Sequence, residues 1–201
     1  IPVVYVITLT ANGCIHTQNV TVLVNPTPTV TVGMTSNVIC ASDPNPTVSA
    51  ILGAGIVSDY EFFWTVPLGV TNPNNVPSFT ANTAGNYSVI IKHIITACQS
   101  ASASATLTVN PLPTLSSTFT PAAICSIQPF LYTPTSATAN VAFTWSRATV
   151  VGISPTGTTG IGNVNEMLTS TSTSPLTVRY VYTLVNNTTG CINTQNIDVV
   201  V

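Results

Sequence analysis

Val24-Asn25-Pro26-Thr27-Pro28-Thr29 returns further along as Val109-Asn110-Pro111-Leu112-Pro113-Thr114, and this recurrence decides what the chain can fold into. Ile39-Cys40 returns as Ile124-Cys125 at the same displacement. Phe62-Phe63-Trp64-Thr65 has its counterpart in Phe143-Thr144-Trp145-Ser146, so Trp64 and Trp145 keep nearly that displacement after a small change in loop length. A period of this size is a whole domain rather than a turn of a solenoid, which predicts two copies of one domain in series. Each Asn-Pro-x-Pro-Thr segment then reads as a linker. Its two prolines fix φ and favour extended backbone, giving a short, semi-rigid spacer.

A third, partial copy stands at the front. Tyr5-Val6-Ile7-Thr8-Leu9 matches Tyr180-Val181-Tyr182-Thr183-Leu184, and Gly13-Cys14-Ile15 with Thr17-Gln18-Asn19 matches Gly190-Cys191-Ile192 with Thr194-Gln195-Asn196. The step that carries Cys14 onto Cys191 also carries Val24 onto Val201. The expected organisation is therefore residues 1–24 as the closing hairpin of a preceding type A repeat, 25–110 as a type B repeat and 111–201 as a type A repeat. The opening residues lack the basic stretch, apolar run and cleavage site of an export signal, so the chain reads as an internal stretch of a longer one.

The pattern is all β. Val3, Tyr5, Ile7 and Leu9 alternate with smaller or more polar residues, as do Val178, Tyr180, Tyr182 and Leu184, and Val20, Val22 and Val24 keep the same period of two. Asn12-Gly13 and Thr189-Gly190 break the alternation where hairpin turns favour residues tolerant of positive φ. No window sustains a helical period, and Thr, Val and Ile dominate. Many short strands in about 85 to 90 residues per repeat predict tandem immunoglobulin-like β-sandwich domains joined by short Pro-rich linkers.

The five cysteines are placed by the repeat. Cys40 and Cys98 fall in the middle repeat, Cys125 and Cys191 in the last, and Cys14 matches Cys191. The register predicts two disulfides within repeats, Cys40 with Cys98 and Cys125 with Cys191, and leaves Cys14 without a partner in this stretch; buried free thiols are the alternative. Such bonds form in an oxidising compartment, which predicts export. Trp64 and Trp145 each sit in an aromatic strand between two cysteines, where immunoglobulin-like domains place a core tryptophan. The competing reading for both is a platform on which a sugar ring stacks.

Only 4% of residues are charged, with three basic against five acidic, and Thr, Ser, Asn and Pro fill the difference. This leaves no basic cluster to attract nucleic acid or anionic lipid. The mean hydropathy of +0.47 comes from apolar runs of about five residues, such as Val3 to Ile7, far short of the 18 or more that span a membrane, so no direct membrane insertion is expected.

Catalysis would have to draw on two His, three Asp and two Glu. Asp59-x-Glu61, with Asp43, could ligate calcium, but the last repeat has no matching acids, and strand-edge charge is the simpler reading. His93 has no acid or nucleophile near it in sequence, and Cys14-x-His16 becomes Cys191-x-Asn193 in the matching copy, which argues against zinc. Gly160 and Gly162 lie in a loop with no helix after it, so they form no phosphate cradle. Asn19, Asn86, Asn186 and Asn187 open formal glycosylation triplets that an Asn- and Thr-rich chain produces by chance. The residues predict no enzyme, no cofactor and no metal.

Taken together, Ile124-Cys125-Ser126, Tyr132-Thr133-Pro134-Thr135-Ser136, Phe143-Thr144-Trp145-Ser146-Arg147 and the stretch from Tyr180 to Asn196 resemble the PKD-like repeats of very long surface adhesins in gliding and other Bacteroidetes-type bacteria. The resemblance covers residues 111–201 and 1–24 closely; the middle repeat is similar in outline, through Ala84-Gly85-Asn86-Tyr87. It implies a secreted, extracellular spacer or adhesive shaft, displayed through the type IX route and without catalytic residues. The function expected is a structural segment of a surface adhesin or filament, with neighbouring repeats or identical copies in a fibre as partners. A polysaccharide-binding module and a non-catalytic spacer of a secreted hydrolase are the alternatives.

Overall fold

The computed structural model describes residues 1–201, and every regular element in it is a strand apart from a single 3₁₀ turn at Val57–Asp59. The chain forms two compact units, Ile1–Ile39 with Pro44–Val109 and Cys40–Asp43 with Asn110–Val201.

It opens with a hairpin of β1 (Pro2–Ala11) and β2 (Cys14–Leu23), a two-stranded sheet on its own. Asn12 and Gly13, with φ of 50° and 79°, form the two-residue turn, whose backbone twist matches the right-handed twist of the strands it joins. The register pairs Val3 with Val22, Tyr5 with Val20, Ile7 with Gln18 and Leu9 with His16. Every residue of both strands is exposed.

The first unit continues with β3 (Val30–Met34), β4 (Val38–Cys40), β5 (Thr47–Leu52), β6 (Tyr60–Thr65), β7 (Ser78–Thr80), β8 (Gly85–His93) and β9 (Ala103–Asn110), except that the last residues of β4 and β9, Cys40 and Asn110, belong to the second unit. The sheet order β3-β5-β7 faces the order β4-β9-β8-β6. Alternate residues of β6 and β8 point inward, so Phe62, Trp64, Tyr87, Val89 and Ile91 meet Val48 and Leu107 in one core. The Tyr87 hydroxyl donates to the carbonyl of Thr83, four residues upstream, at 2.7 Å, a tyrosine corner of the kind sandwiches use to fix the entry of this strand.

The second unit contains β10 (Gln128–Tyr132), β11 (Val141–Arg147), β12 (Ile153–Ser154), β13 (Thr158–Ile161), β14 (Val164–Ser170), β15 (Thr177–Asn186) and β16 (Ile192–Val200). Its sheets run β10-β14-β12 and β13-β11-β15-β16. Phe130, Tyr132, Trp145, Leu168, Tyr180, Tyr182, Leu184, Ile197 and Val199 lie between them. In both units the aromatic strand pairs with the long strand that follows, Trp64 opposite Val89 and Trp145 opposite Tyr182. Both units are immunoglobulin-like β-sandwiches.

The opening hairpin repeats β15 and β16 pair by pair. Val178 faces Val199, Tyr180 faces Ile197, Tyr182 faces Gln195 and Leu184 faces Asn193. Even the closing bond returns: Val24 N–H donates to the Ile1 carbonyl at 2.8 Å, and Val201 N–H to the Leu176 carbonyl at 2.9 Å. The difference is cover. Tyr180 and Leu184 are wholly buried, while Tyr5 and Leu9 are 57% and 62% exposed.

Candidate functional site

The disulfide pairing expected within each repeat is corrected by the structure. Cys40 is bonded to Cys191, 151 residues away, and Cys14, Cys98 and Cys125 are free. The reason is strand direction. Ala41 N–H donates to the Asn110 carbonyl and Thr108 N–H to the Asn37 carbonyl, so β4 runs parallel to β9 and Cys40 sits at the far end of that strand. Cys98 precedes the near end, and β9 spans about 23 Å at 3.3 Å per residue, whereas a disulfide needs Cα atoms within about 7 Å. The same holds for Cys125. Its neighbour Ile124 donates to the Val200 carbonyl, at the far end of β16 from Cys191.

Trp64 and Trp145 are 4% and 8% exposed. Trp64 Nε1 donates to the Val76 carbonyl at 2.8 Å, and its ring meets Phe79 edge to face at 4.9 Å, so an aromatic neighbour takes the place of the disulfide expected beside it. Trp145 meets Tyr180 edge to face at 5.4 Å, and its Nε1 is buried without an acceptor. Gly160 lies against its ring, where a Cβ would collide with Trp145 Cζ2. Neither indole face is open for a sugar ring to stack on.

The acids and histidines singled out from sequence are held in local structure. Asp43 accepts the Cys40 N–H at 2.7 Å, and Asp59 accepts the Ile56 N–H at 3.1 Å. Glu61 pairs across the strands with Lys92 at 3.3 Å. His93 Nδ1 accepts the N–H groups of Ile95 and Thr96, and its ring meets Tyr60 edge to face. His16 is exposed on β2. No three His, Cys, Asp or Glu side chains gather where they could hold one cation. Asn186, first of one glycosylation triplet, is buried; its Oδ1 accepts the Thr188 N–H at 2.9 Å.

Sequence reasoning missed a buried polar cluster in the second unit. Arg147, 2% exposed, holds Glu166 with Nε at 2.9 Å from Oε2 and Nη2 at 3.1 Å from Oε1. Its Nη2 also donates to the carbonyls of Pro155 and Thr156, and the Tyr180 hydroxyl donates to Glu166 Oε2 at 2.6 Å. Burial alone would lower the Arg147 pKa; the Glu166 carboxylate outweighs it and raises the value. The available signal was an arginine at an inward position of β11, in a chain with only three basic residues. The cluster is a buried cross-sheet brace in which both Glu166 oxygens are engaged, while Nη1 of Arg147 is buried without a partner.

Burial pushes the Tyr180 and Tyr182 hydroxyls well above their ordinary range, reinforced by Glu166 at Tyr180 and by Tyr132 at Tyr182. Both states of the protein keep these protons below about pH 10, the ordinary tyrosine value, so stability is unaffected there. Above it the unfolded chain ionises first, and stability falls by about 1.4 kcal/mol per pH unit for each tyrosine that stays protonated in the fold. Urea unfolding at a series of alkaline pH values, with phenolate absorbance recorded alongside, measures this decline. The part of the absorbance lost in a Tyr180→Phe, Tyr182→Phe variant should appear together with unfolding rather than ahead of it.

The inner face of the opening hairpin is uncovered. Val3, Tyr5, Ile7, Leu9, Val20 and Val22 are all exposed, and their counterparts Val178, Tyr180, Tyr182, Leu184, Ile197 and Val199 are all buried. Gln18 repeats this at a polar position: its counterpart Gln195 accepts the Leu115 N–H through Oε1 at 2.6 Å.

No family model and no curated protein matches this chain. Solved structures do. The three N-terminal domains of the bacteriophage RB49 Highly Immunogenic Outer Capsid protein match at 13% identity and a TM-score of 0.37, over 86% of this chain and 58% of that one. Immunoglobulin domains 1–5 of Sidekick-1 match at 12% identity and 0.42, over 98% and 46%. The extracellular domains 3–5 of Drosophila OTK match at 11% and 0.42, over 96% and 68%. The chain spans about half the length of the first two. The fold assignment rests on the strand order and register within each unit.

Proposed function

We propose that this chain is a structural repeat segment of a secreted bacterial surface adhesin or filament, in which alternating A and B sandwich domains form a shaft. The observation that carries the reading is the hairpin 1–24. It repeats β15–β16 in sequence and register, yet its inner face is uncovered. Residues 1–24 are then the end of a preceding A domain, and 25–201 are one full period. A two-stranded hairpin is marginal alone, so its apolar face belongs against the rest of such a domain.

Three further observations support this reading. The Cys40–Cys191 bond belongs to an oxidising compartment, hence to export, for which the type IX route is the one the repeats' resemblance implies. The scarcity of charge leaves little like-charge repulsion between copies lying side by side, which suits a fibre. Apart from the exposed His16, the polar residues that could have served catalysis are occupied in turns, cross-strand pairs and a buried brace. The test is immunogold labelling of intact cells with antibody raised against residues 1–201. Label along extended surface structures is expected; label only in the cytoplasm would overturn the proposal.

A further inference from the structure

Two of the three free thiols fall into the same two settings as the two bonded ones, and the third, Cys14, matches Cys191 in sequence. In the second unit, Asn186 N–H donates to the Cys191 carbonyl at 2.9 Å, Gly190 N–H to the Asn186 carbonyl at 2.8 Å, and Gly190 has a φ of 76°. In the first, His93 N–H donates to the Cys98 carbonyl at 2.9 Å, Ala97 N–H to the His93 carbonyl at 2.9 Å, and Ala97 has a φ of 57°. The side chain heading each turn also does the same work. Asn186 Oδ1 accepts the N–H groups of Thr188 and Thr189, as His93 Nδ1 accepts those of Ile95 and Thr96. Cys98 therefore occupies the position of Cys191. Cys125 likewise occupies the position of Cys40, since the carbonyl of each accepts an N–H from three residues on, Asp43 at 2.9 Å and Gln128 at 3.2 Å.

The observed bond joins the upstream position of one sequence repeat to the turn position of the next. Applied along the array, this rule leaves no thiol unassigned. The step that carries Cys14 onto Cys191 carries Cys98 to a point almost as far beyond Cys125 as Cys191 lies beyond Cys40. We infer that Cys40–Cys191 is one rung of a disulfide ladder running through the longer protein. Each repeat's turn cysteine is bonded to the upstream cysteine of the repeat before it. Cys125 then belongs to the Cys98-type thiol of the following B repeat, Cys98 to the Cys125-type thiol of the preceding A repeat, and Cys14 to a Cys40-type thiol further upstream. The inference rests on the repeat-array reading proposed above. Cys125 and Cys14 are exposed and Cys98 is partly so, which leaves each open to exchange.

The chemistry is thiol–disulfide exchange with a small-molecule disulfide such as oxidised glutathione. One cysteine thiolate attacks it, forming a mixed disulfide and releasing one glutathione; the second thiolate attacks the mixed disulfide and releases the other. Two protein thiols are oxidised and one glutathione disulfide is reduced.

The test uses residues 1–201 followed directly by a second copy of 25–201, which recreates the natural Val24-Asn25 joint at Val201 because those valines are equivalent. This chain has nine cysteines, and after folding with oxidised glutathione it is denatured, its free thiols are counted and its peptides are mapped without reduction. The ladder predicts Cys40–Cys191 in both copies, Cys125 of the first copy bonded to Cys98 of the second, and three free thiols. Two Cys40–Cys191 bonds with Cys125 free and five thiols would overturn the ladder and leave the repeat array standing. Loss of Cys40–Cys191 from both copies would overturn the ladder alone, because the array rests on the hairpin of residues 1–24 and is tested separately by whether that hairpin is covered in a completed A domain. The 1–201 chain alone, which should show one disulfide and three free thiols, is the control that folding is normal.

Discussion

Glu166→Ala should destabilise the second unit by about 3–5 kcal/mol, the cost of leaving a buried charge without its partner. Arg147 is 2% exposed, its Nη1 already lacks an acceptor, and removing Glu166 deprives Nε of its acceptor and Nη2 of one of its contacts as well. The Tyr180 hydroxyl would lose its acceptor at the same stroke. Hydrogen exchange in β11, β14 and β15 under increasing urea isolates the effect to this unit. Replacing both partners with apolar residues, Arg147→Met with Glu166→Leu, should recover much of the loss, because no charge is then left in the core. A double variant as unstable as the single one would mean that the brace is net stabilising in its own right.

Trp64→Ala should cost the first unit about 3–5 kcal/mol, the usual range for deleting a large buried aromatic. The ring fills the space between the sheets, and its Nε1 satisfies the Val76 carbonyl. The milder Phe substitutions separate packing from hydrogen bonding. Trp64→Phe strands that carbonyl, whereas Trp145→Phe removes an N–H that has no acceptor. Trp64→Phe should therefore be the costlier of the two by about 1 kcal/mol, the net worth of one hydrogen bond. Equal costs would show that the two indoles are held by packing alone.

The strands were legible because the code for them is local. Alternation in Val178, Tyr180, Tyr182 and Leu184 announces a half-buried strand, and the matching alternation in Val3, Tyr5, Ile7 and Leu9 announces its twin. The tandem sandwich followed from the same pattern repeated. The disulfide was not legible, because pairing depends on whether β4 runs parallel or antiparallel to β9, and nothing in Val38-Ile39-Cys40 encodes direction. Repeat arithmetic put Cys40 and Cys98 in one domain but could not say that a strand's length separates them. The Arg147 brace was hidden for a related reason: Arg147 and Glu166 are 19 residues apart on strands of different sheets. The acids that did stand out, Asp43, Asp59 and Glu61, proved to be turn caps and an edge pair, an arrangement that sequence spacing cannot tell from a ligand set.

In the proposed repeat array, residues 1–24 are an A-domain hairpin separated from the body it was built to cover. That body is available within the sequence as residues 111–175, since Ile1 stands where Leu176 does. Placing residues 111–175 directly ahead of Ile1 should complete an A domain around β1 and β2. Hydrogen exchange by mass spectrometry, comparing this extended chain with residues 1–201, reads the outcome strand by strand. In residues 1–201 the β1 and β2 amides should exchange rapidly while β15 and β16 are protected. In the extended chain, exchange in β1 and β2 should slow by about 1000-fold or more, the equivalent of roughly 4 kcal/mol of added local stability, toward the level of β15 and β16. Unchanged, rapid exchange in β1 and β2, with β15 and β16 still protected, would contradict the reading, because the hairpin would then have no affinity for the domain it copies.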